Sequence, residues 1–228
     1  YQKVNPSAVL DIEKPAVWRK YSERMERRFV TDYALPTRVF KGASVLDVGC
    51  GTGEKCLVFA SWGATVTGVD YNEKALERAH TLASKSRFSE RLVFYRGTLT
   101  ELPEPVRDQH FDFVHVDGVL HHTADPEAAL NVVAARVAVG GFLVVRNYQA
   151  ITSFQRLVKR MIVRLGVGED ATGIMANTKR LFYEDVERSV AGAGRSEDQA
   201  IYDNFVNPHY QPFGHKTLFD LCDKFGLR

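Results

Sequence analysis

Apolar residues recur along this chain at two periods, and the changes of period divide it into segments. Residues 1 to about 15 are polar, carry Pro6 and Pro15, and read as an arm. From Ala16 to Val30, Trp18, Tyr21, Met25 and Phe29 recur at spacings of three and four, which predicts a helix. Pro36 ends that region. The pattern then alternates. Short β-rich runs at Ser44–Val48, Ala64–Val69, Leu92–Tyr95, Phe111–Val116 and Phe142–Arg146 predict five strands. Helical patterns at Lys55–Trp62, Glu73–Lys85 and Asp125–Ala135 lie between them, the last opened by Asp125 as cap and Pro126 in the first turn. Strands alternating with helices predict an α/β fold, a doubly wound, mostly parallel sheet with helices on both faces. Ligands of such sheets bind at the carboxyl ends of the strands, so functional residues are expected just after each strand.

After Ile151 the period is helical again. Phe154, Leu157, Val158, Met161, Ile162 and Leu165 share one face, and Arg156, Lys159, Arg160 and Arg164 make its basic complement. The simpler reading is a helix whose apolar face covers the domain; the sharper one is contact with an anionic membrane surface. A polar, glycine-containing stretch at 166–200 holds one further helix near Tyr183–Val190. Residues 207–214 read as a loop and Lys216–Phe225 as a final helix. The expected organisation is an arm and helical lid at 1–40, a Rossmann-like core at 41–150, a helical insertion at 151–215 and a last core helix at 216–228.

Composition adds exclusions. The 228 residues carry 30 basic and 28 acidic side chains, a net charge of +2, so no strong field calls for nucleic acid. Three cysteines show neither CxxC nor zinc spacing, so no metal site is expected and a reducing, cytoplasmic setting is. No apolar run reaches the roughly 18 residues of a membrane helix.

The first strand runs into Asp47-Val48-Gly49-Cys50-Gly51-Thr52-Gly53. Glycines allow a sharp turn and close approach of a ligand, although a tight turn without a ligand has the same look. The dinucleotide fingerprint G-x-G-x-x-G fails at its sixth position, Glu54, whose charge would repel a pyrophosphate. A nucleoside without phosphates is the expected ligand, and an NAD-linked dehydrogenase is disfavoured. Asp70 ends the second strand, where a carboxylate accepts hydrogen bonds from ribose hydroxyls; its other reading is a helix cap, for which Asn72 is better placed.

VLDVGCGTG followed by VTGVDYNEKALERA resembles motif I and the acidic second motif of class I S-adenosylmethionine-dependent methyltransferases. The resemblance extends through FDFVHVDGVLHHTADPEAAL and VAVGGFLVV, about Lys41 to Asn147. It implies a seven-stranded sheet with a reversed last strand and S-adenosylmethionine as cofactor, leaving as S-adenosylhomocysteine. By position, the loop of Asp47, Gly49, Cys50, Gly51, Thr52 and Gly53 would cradle the amino-acid end of the cofactor. Asp70 would hold the ribose and Tyr71 would lie near the adenine. Thr98 and Leu99 occupy the adenine-side stretch, with Thr98 where the family commonly has an acidic residue. Asp117 and Gly118 would lie under the transferred methyl.

LHH after the fourth strand resembles the small-molecule branch of the family, and the Asn/Asp-Pro-Pro-aromatic sequence of nucleobase methyltransferases is missing. His121 or His122 is the candidate general base, against a reading in which one packs on the sheet and the other lies at the surface. His115, inside a strand, reads as a core histidine. Trp18 and Tyr21 are candidate lid residues or core packing. Arg146, Asn147, Tyr148, His209, Tyr210 and His215 are candidate substrate-side residues. The sequence ends where the resemblance places a sixth strand, so a longer chain, a second copy or a partner is expected to complete the sheet. The leading expectation is methyl transfer to oxygen or nitrogen of a small molecule. The alternatives are a cofactor-binding but non-catalytic regulatory domain, and an RNA methyltransferase.

Overall fold

Five strands form where β-branched and aliphatic residues run together, and the computed structural model sets them in one parallel sheet. It describes residues 10–148, 150–193, 196–212 and 214–227. The strands are β1 (Ser44–Val48), β2 (Thr65–Asp70), β3 (Leu92–Arg96), β4 (Phe111–Asp117) and β5 (Val137–Arg146), in the order β3-β2-β1-β4-β5. The order reverses between β1 and β4, so their carboxyl ends flank the switch point where ligands of open α/β sheets bind. Register runs Val45 opposite Val66 on one side of β1 and opposite Phe113 on the other. β5 begins five residues before the expected Phe142. It pairs Val137 with Phe111, then slips before Phe142 meets Phe113, around Gly140 in the left-handed region. No sixth or seventh strand follows among the described residues.

The crossovers are helical. Helix α1 (Pro15–Arg27), α2 (Glu54–Ser61) and α3 (Glu73–Lys85) cover one face, burying Phe29, Phe59, Leu76 and Ala79 against Val45, Val66 and Phe113. The short α4 (Glu104–Arg107), α5 (Pro126–Ala134) and the last helix, α10 (His215–Lys224), cover the other, burying Val106, Leu130 and Leu221 against Leu46, Val114 and Val116. Asn72 and Asp125 cap α3 and α5, each side chain accepting an N–H three residues on. Phe29 leaves α1 in a π-helical turn, Arg28–Asp32. Its ring meets those of Tyr33, Phe40, Phe59 and Trp62 edge-on at 5.2–5.4 Å.

The insertion holds more helix than its composition predicts: α6 (Ala150–Arg164), α7 (Ala171–Leu181), α8 (Tyr183–Ala193) and α9 (Glu197–Ile201), followed after a loop by α10 (His215–Lys224). Val163, Ile174, Val186, Ile201 and Phe205 give it a core of its own. α6 is also turned around relative to the simpler expectation. Phe154, Met161 and Leu165 are 65%, 70% and 73% exposed, whereas Arg160 is buried. The reason is polar. Arg160 donates to the carbonyls of Asn204 and Asn207, and Ser153 meets the Tyr210 hydroxyl at 3.2 Å. The side of α6 that carries Ser153, Arg160 and Val163 therefore binds the chain, and the stripe of Phe154, Met161 and Leu165 faces out. No helix is long and apolar enough to cross a membrane, and no cluster of metal-ligating side chains occurs among the described residues.

One buried charge network ties the sheet to its first helices. His115 Nδ1 donates to Asp47 at 2.7 Å, and Lys55 Nζ lies 4.0 Å from Asp47 and 3.6 Å from Asp117. Arg28 reaches Asp117 at 3.5 Å, and Arg146 pairs with it from β5. Burial opposes the charge of Asp117, but Lys55, His115 and Arg146 outweigh it and hold the carboxyl well below the usual carboxylate range. Asp47 is lowered in the same way, against its burial, by Lys55 and His115.

Phe29→Ala is expected to destabilise the fold by about 3–5 kcal/mol in urea unfolding, since the surrounding rings cannot close the cavity. A folded carboxyl held below its unfolded value, about 3.9, contributes stability that is complete above that pH and lost as pH falls toward the folded value. The urea midpoint of the wild type should therefore fall on acidification from pH 5 to 3, and Asp117→Asn should show a shallower fall. An unchanged acid slope in the variant would place the acid sensitivity elsewhere.

Candidate functional site

The glycine turn at the end of β1 is held mostly by its own backbone. Gly49 and Cys50 N–H donate to the Val69 carbonyl at 2.7 and 3.1 Å, Gly51 N–H to Asp70 at 2.8 Å, and Gly53 N–H to Cys50 at 3.2 Å. Those amides are already used, so the turn is not an open nest for phosphate. Gly49 has φ +78, and a Cβ there would lie 2.6 Å from Val119, so the glycine lets the turn after β1 close against the turn after β4. Thr52 is buried and bonds through its hydroxyl to Glu54. Glu54 does not act as the sequence argument supposed. Its buried carboxylate is taken up by Thr52 and by the Leu10 N–H at 3.3 Å, with Arg78 3.9 Å away. The case against a pyrophosphate passes from its charge to the occupied amides.

Asp70 accepts Gly51 N–H with one oxygen and Asn72 N–H with the other, both at 2.8 Å. A carboxylate has about four acceptor positions, so two remain for a vicinal diol. Asn72 itself caps α3, which leaves Asp70 to the ligand side. Tyr71 follows, 40% exposed, with the Arg96 guanidinium 5.8 Å from its ring. Thr98 Oγ1 accepts the Glu101 N–H at 2.9 Å and neighbours Thr100, so one of its lone pairs is committed to its own turn. Leu99 packs on the sheet side. Gly118, φ +75, donates to the Arg146 carbonyl and fixes the turn carrying Asp117.

A nucleoside bearing an amino-acid tail fits these groups. Asp70 offers diol acceptors, Asp47 and Asp117 supply negative charge, and Arg28 and Lys55 bring positive charge beside them. Arg28 and Lys55 were not singled out in the sequence. Only the i+4 relation of helix α1's tail to Arg24, and the first turn after Glu54, mark them as neighbours of the loop. Trp18 and Tyr21 pack against the α1–α2 core. Burial raises the Tyr21 hydroxyl far above its ordinary range, with Lys55 close enough to oppose the shift.

The second half of the site lies past β4 and β5. His121 is fully buried, and neither ring nitrogen has a hydrogen-bond partner of good geometry; the enclosed amide of half-buried Asn147 is its polar neighbour. Burial, and then the charge of His122, lower His121 to a pKa of about 3, so its ring is neutral. Its ring lies 4.0 Å from His122, 4.6 Å from Tyr148 and 5.6 Å from Tyr210. His122 differs. Its Nε2 meets Asp203 at 3.1 Å and its Nδ1 meets the His209 carbonyl at 3.1 Å. The Gln211 N–H donates to the His121 carbonyl at 2.8 Å, so the 207–211 loop is stitched to the strand end. The structure thus brings His121, His122, Tyr148 and Tyr210 together. His209 contributes its carbonyl while its side chain is exposed, and His215 is exposed at the start of α10. Asp203 escaped the sequence reading because it lies in a helical turn 81 positions from its partner.

Residues 40–188, well over half of the chain, match the family model described as a methyltransferase domain. The 27-O-demethylrifamycin SV methyltransferase of Amycolatopsis mediterranei (strain S699) is 37% identical over 118 residues, 49% of this chain and 42% of that protein. A ubiquinone biosynthesis O-methyltransferase of Rhodopseudomonas palustris (strain BisA53) is 32% identical over 152 residues, 65% of this chain and 54% of its own. The chain spans about half the length of the curated relatives it matches. PKMT2 from Rickettsia typhi superposes with a TM-score of 0.62 at 16% identity, over 82% of this chain and 39% of that one. YcgJ from Bacillus subtilis gives 0.53 at 19% identity, over 81% and 62%. At such identities these structures bear on the fold alone. With the glycine turn, the acidic end of β2 and the 3-2-1-4-5 sheet already in place, the family match closes the argument: the chain belongs to the methyltransferase-domain family, in the class I, S-adenosylmethionine-dependent branch.

Proposed function

We propose that this chain transfers a methyl group from S-adenosylmethionine to an oxygen of a small molecule. The observation that carries the reading is the adjacent pair of enclosed polar groups, His121 and Asn147, just past the ends of β4 and β5, which have no partner of good geometry beyond one another. Buried polar atoms are paired in nearly all native structures, so the atoms that this pair leaves unsatisfied at the two strand ends favour a polar ligand. Oxygen is favoured because both curated relatives described above act, by their names, as O-methyltransferases.

When bound, S-adenosylmethionine supplies an activated methyl on a sulfonium. Asp70 accepts the ribose hydroxyls, and Tyr71, Thr98 and Leu99 border the adenine. The turn of Asp47, Gly49, Cys50, Gly51, Thr52 and Gly53 shapes the seat of the amino-acid end. Arg28 and Lys55 balance its carboxylate, and Asp117 with Gly118 closes the floor. On the acceptor side, His121 and Asn147 orient the hydroxyl, with Tyr148 and Tyr210 as walls. A ring with a pKa of about 3 accepts a hydrogen bond but does not deprotonate a phenol beforehand. The proton passes to His121 only as the O–CH3 bond forms and the oxygen turns strongly acidic. His122, held by Asp203 and the His209 carbonyl, is the positioning residue of the pair. Alignment of this kind supplies up to roughly 7–11 kcal/mol in ideal cases.

Two measurements test this. In calorimetric titration, S-adenosylhomocysteine should bind the wild type at micromolar levels and Asp70→Ala at least 10-fold more weakly; absence of binding to folded wild type would overturn the methyl-transfer reading and the cofactor-binding, non-catalytic one with it. With a panel of hydroxylated aromatic acceptors, His121→Ala should lose about 100-fold in kcat, within the usual range for a proton-transferring side chain. S-adenosylhomocysteine affinity should stay within about threefold of wild type. The wild-type rate should show no loss from His121 protonation between pH 6 and 8, because that ring titrates near pH 3. An unchanged kcat in His121→Ala would remove the histidine from the reaction.

A further inference from the structure

A cleft of about 370 Å³ opens between α6, α8 and α9. Arg156, Lys159 and Arg188 line it, with Asp185, Gln155 and Asn204. Lys159 and Arg188 share one carboxylate: both ion-pair with Asp185, Arg188 at 2.7 Å. Arg156 has no carboxylate partner among the described residues. Its guanidinium is fixed instead by aromatic side chains. It donates to the Tyr210 hydroxyl at 3.2 Å and lies 4.8 Å from the Tyr148 ring centre and 5.8 Å from that of Tyr210. The lining therefore carries three cations against one carboxylate, and one of the cations is half-buried and uncompensated.

A guanidinium held flat by rings and a hydroxyl keeps its remaining N–H donors in a rigid fork, the arrangement that matches a carboxylate or phosphate. A desolvated charge without a counter-ion is unfavourable, and an anion in the cleft would offset it. The volume lies in the range of small-molecule sites. Arg156 also joins the cleft to the reaction side, since the Tyr148 ring that it covers is 4.6 Å from His121.

We propose that this cleft binds an anionic group, carboxylate or phosphate, carried by the methyl acceptor, with Arg156 as its main ligand and Arg188 and Lys159 in support. That the anion belongs to the acceptor rests on the methyl-transfer reading; that the cleft holds an anion does not. The acceptor is then a hydroxylated molecule with an acidic group, its hydroxyl at His121 and its charge at Arg156.

The test is calorimetric titration of the 228-residue chain, in a chloride-only buffer, with inorganic phosphate and separately with 4-hydroxybenzoate. Wild type, Arg156→Gln and Arg188→Gln are compared, each with a thermal melt and a titration with S-adenosylhomocysteine. Millimolar or tighter binding of at least one anion is expected in wild type. It should weaken at least 10-fold in Arg156→Gln and about threefold in Arg188→Gln, with S-adenosylhomocysteine affinity unchanged in both. Tighter binding of 4-hydroxybenzoate assigns the charge to a carboxylate on the acceptor, and tighter binding of phosphate to a phosphorylated one. The proposal is overturned if neither anion binds folded wild type, or if both variants bind as wild type does. Should Arg156→Gln melt before titration, the exposed Arg188 side chain carries the test. Anion binding without S-adenosylhomocysteine binding would sink the methyl-transfer reading and leave the cleft standing; the reverse result would sink the cleft alone.

Discussion

Everything at the ligand end of this sheet depends on two buried carboxylates staying charged. Asp47 and Asp117 end adjacent strands and are kept ionised by Lys55, His115, Arg28 and Arg146. Without those cations, burial would drive both carboxyls to their neutral forms and the strand ends would lose their anchors. The partners come from four different elements: α1's tail, α2, β4 and β5. The network is therefore what registers helices to strands at the switch point. Such an arrangement adds little net stability for its size, because each ion gives up its hydration to enter. What it confers is a fixed field where the cofactor's own charges must lie.

The two neighbouring histidines show how environment divides labour between identical side chains. His122 is satisfied on both nitrogens and bound to the insertion. His121, one residue earlier, has no partner of good geometry on either and faces Tyr148 and Asn147. One ring joins parts of the fold, and the other is the one to which the proposed function gives chemistry. The sequence presents them as a pair of equals, and only tertiary contacts separate them. A similar division holds along α6, where Arg160 is consumed by backbone carbonyls and Arg156, one turn earlier, keeps its charge without a carboxylate.

Much of the core was legible because its signals are local. Strand β1 and helix α3 begin and end where periodicity places them, and Asn72 and Asp125 cap their helices as short-range chemistry requires. Asp70 was readable from its distance to the glycine turn. The remainder needed long-range information. α7 holds Gly173, Asn177 and several polar residues, so its propensity is weak, and packing of Ile174 onto Val163 and Phe205 decides it. The face of α6 was misjudged because hydropathy cannot foresee that an arginine will satisfy two distant carbonyls. The role given to Glu54 failed for the same reason: its partner Leu10 lies in the arm, 44 positions away.

The stitching of His121 and His122 to residues 203–211 bears on how the molecule comes together in time. The strand ends around the glycine turn close through Asp47 with His115, 68 positions apart, and Arg28 with Asp117, 89 apart. The contacts of His121 and His122 with residues 203–211 span 81 to 90 positions and use the last part of the chain. The spans are so similar that loop-closure entropy scarcely separates the two sets, and what distinguishes them is the order of synthesis. A nascent chain released only as far as α5 already carries Asp47, Asp70 and Asp117 but none of the walls around His121. On the proposed reading, the groups that would hold the cofactor are thus made before those that would seat the acceptor, which wait for the last third of the polypeptide.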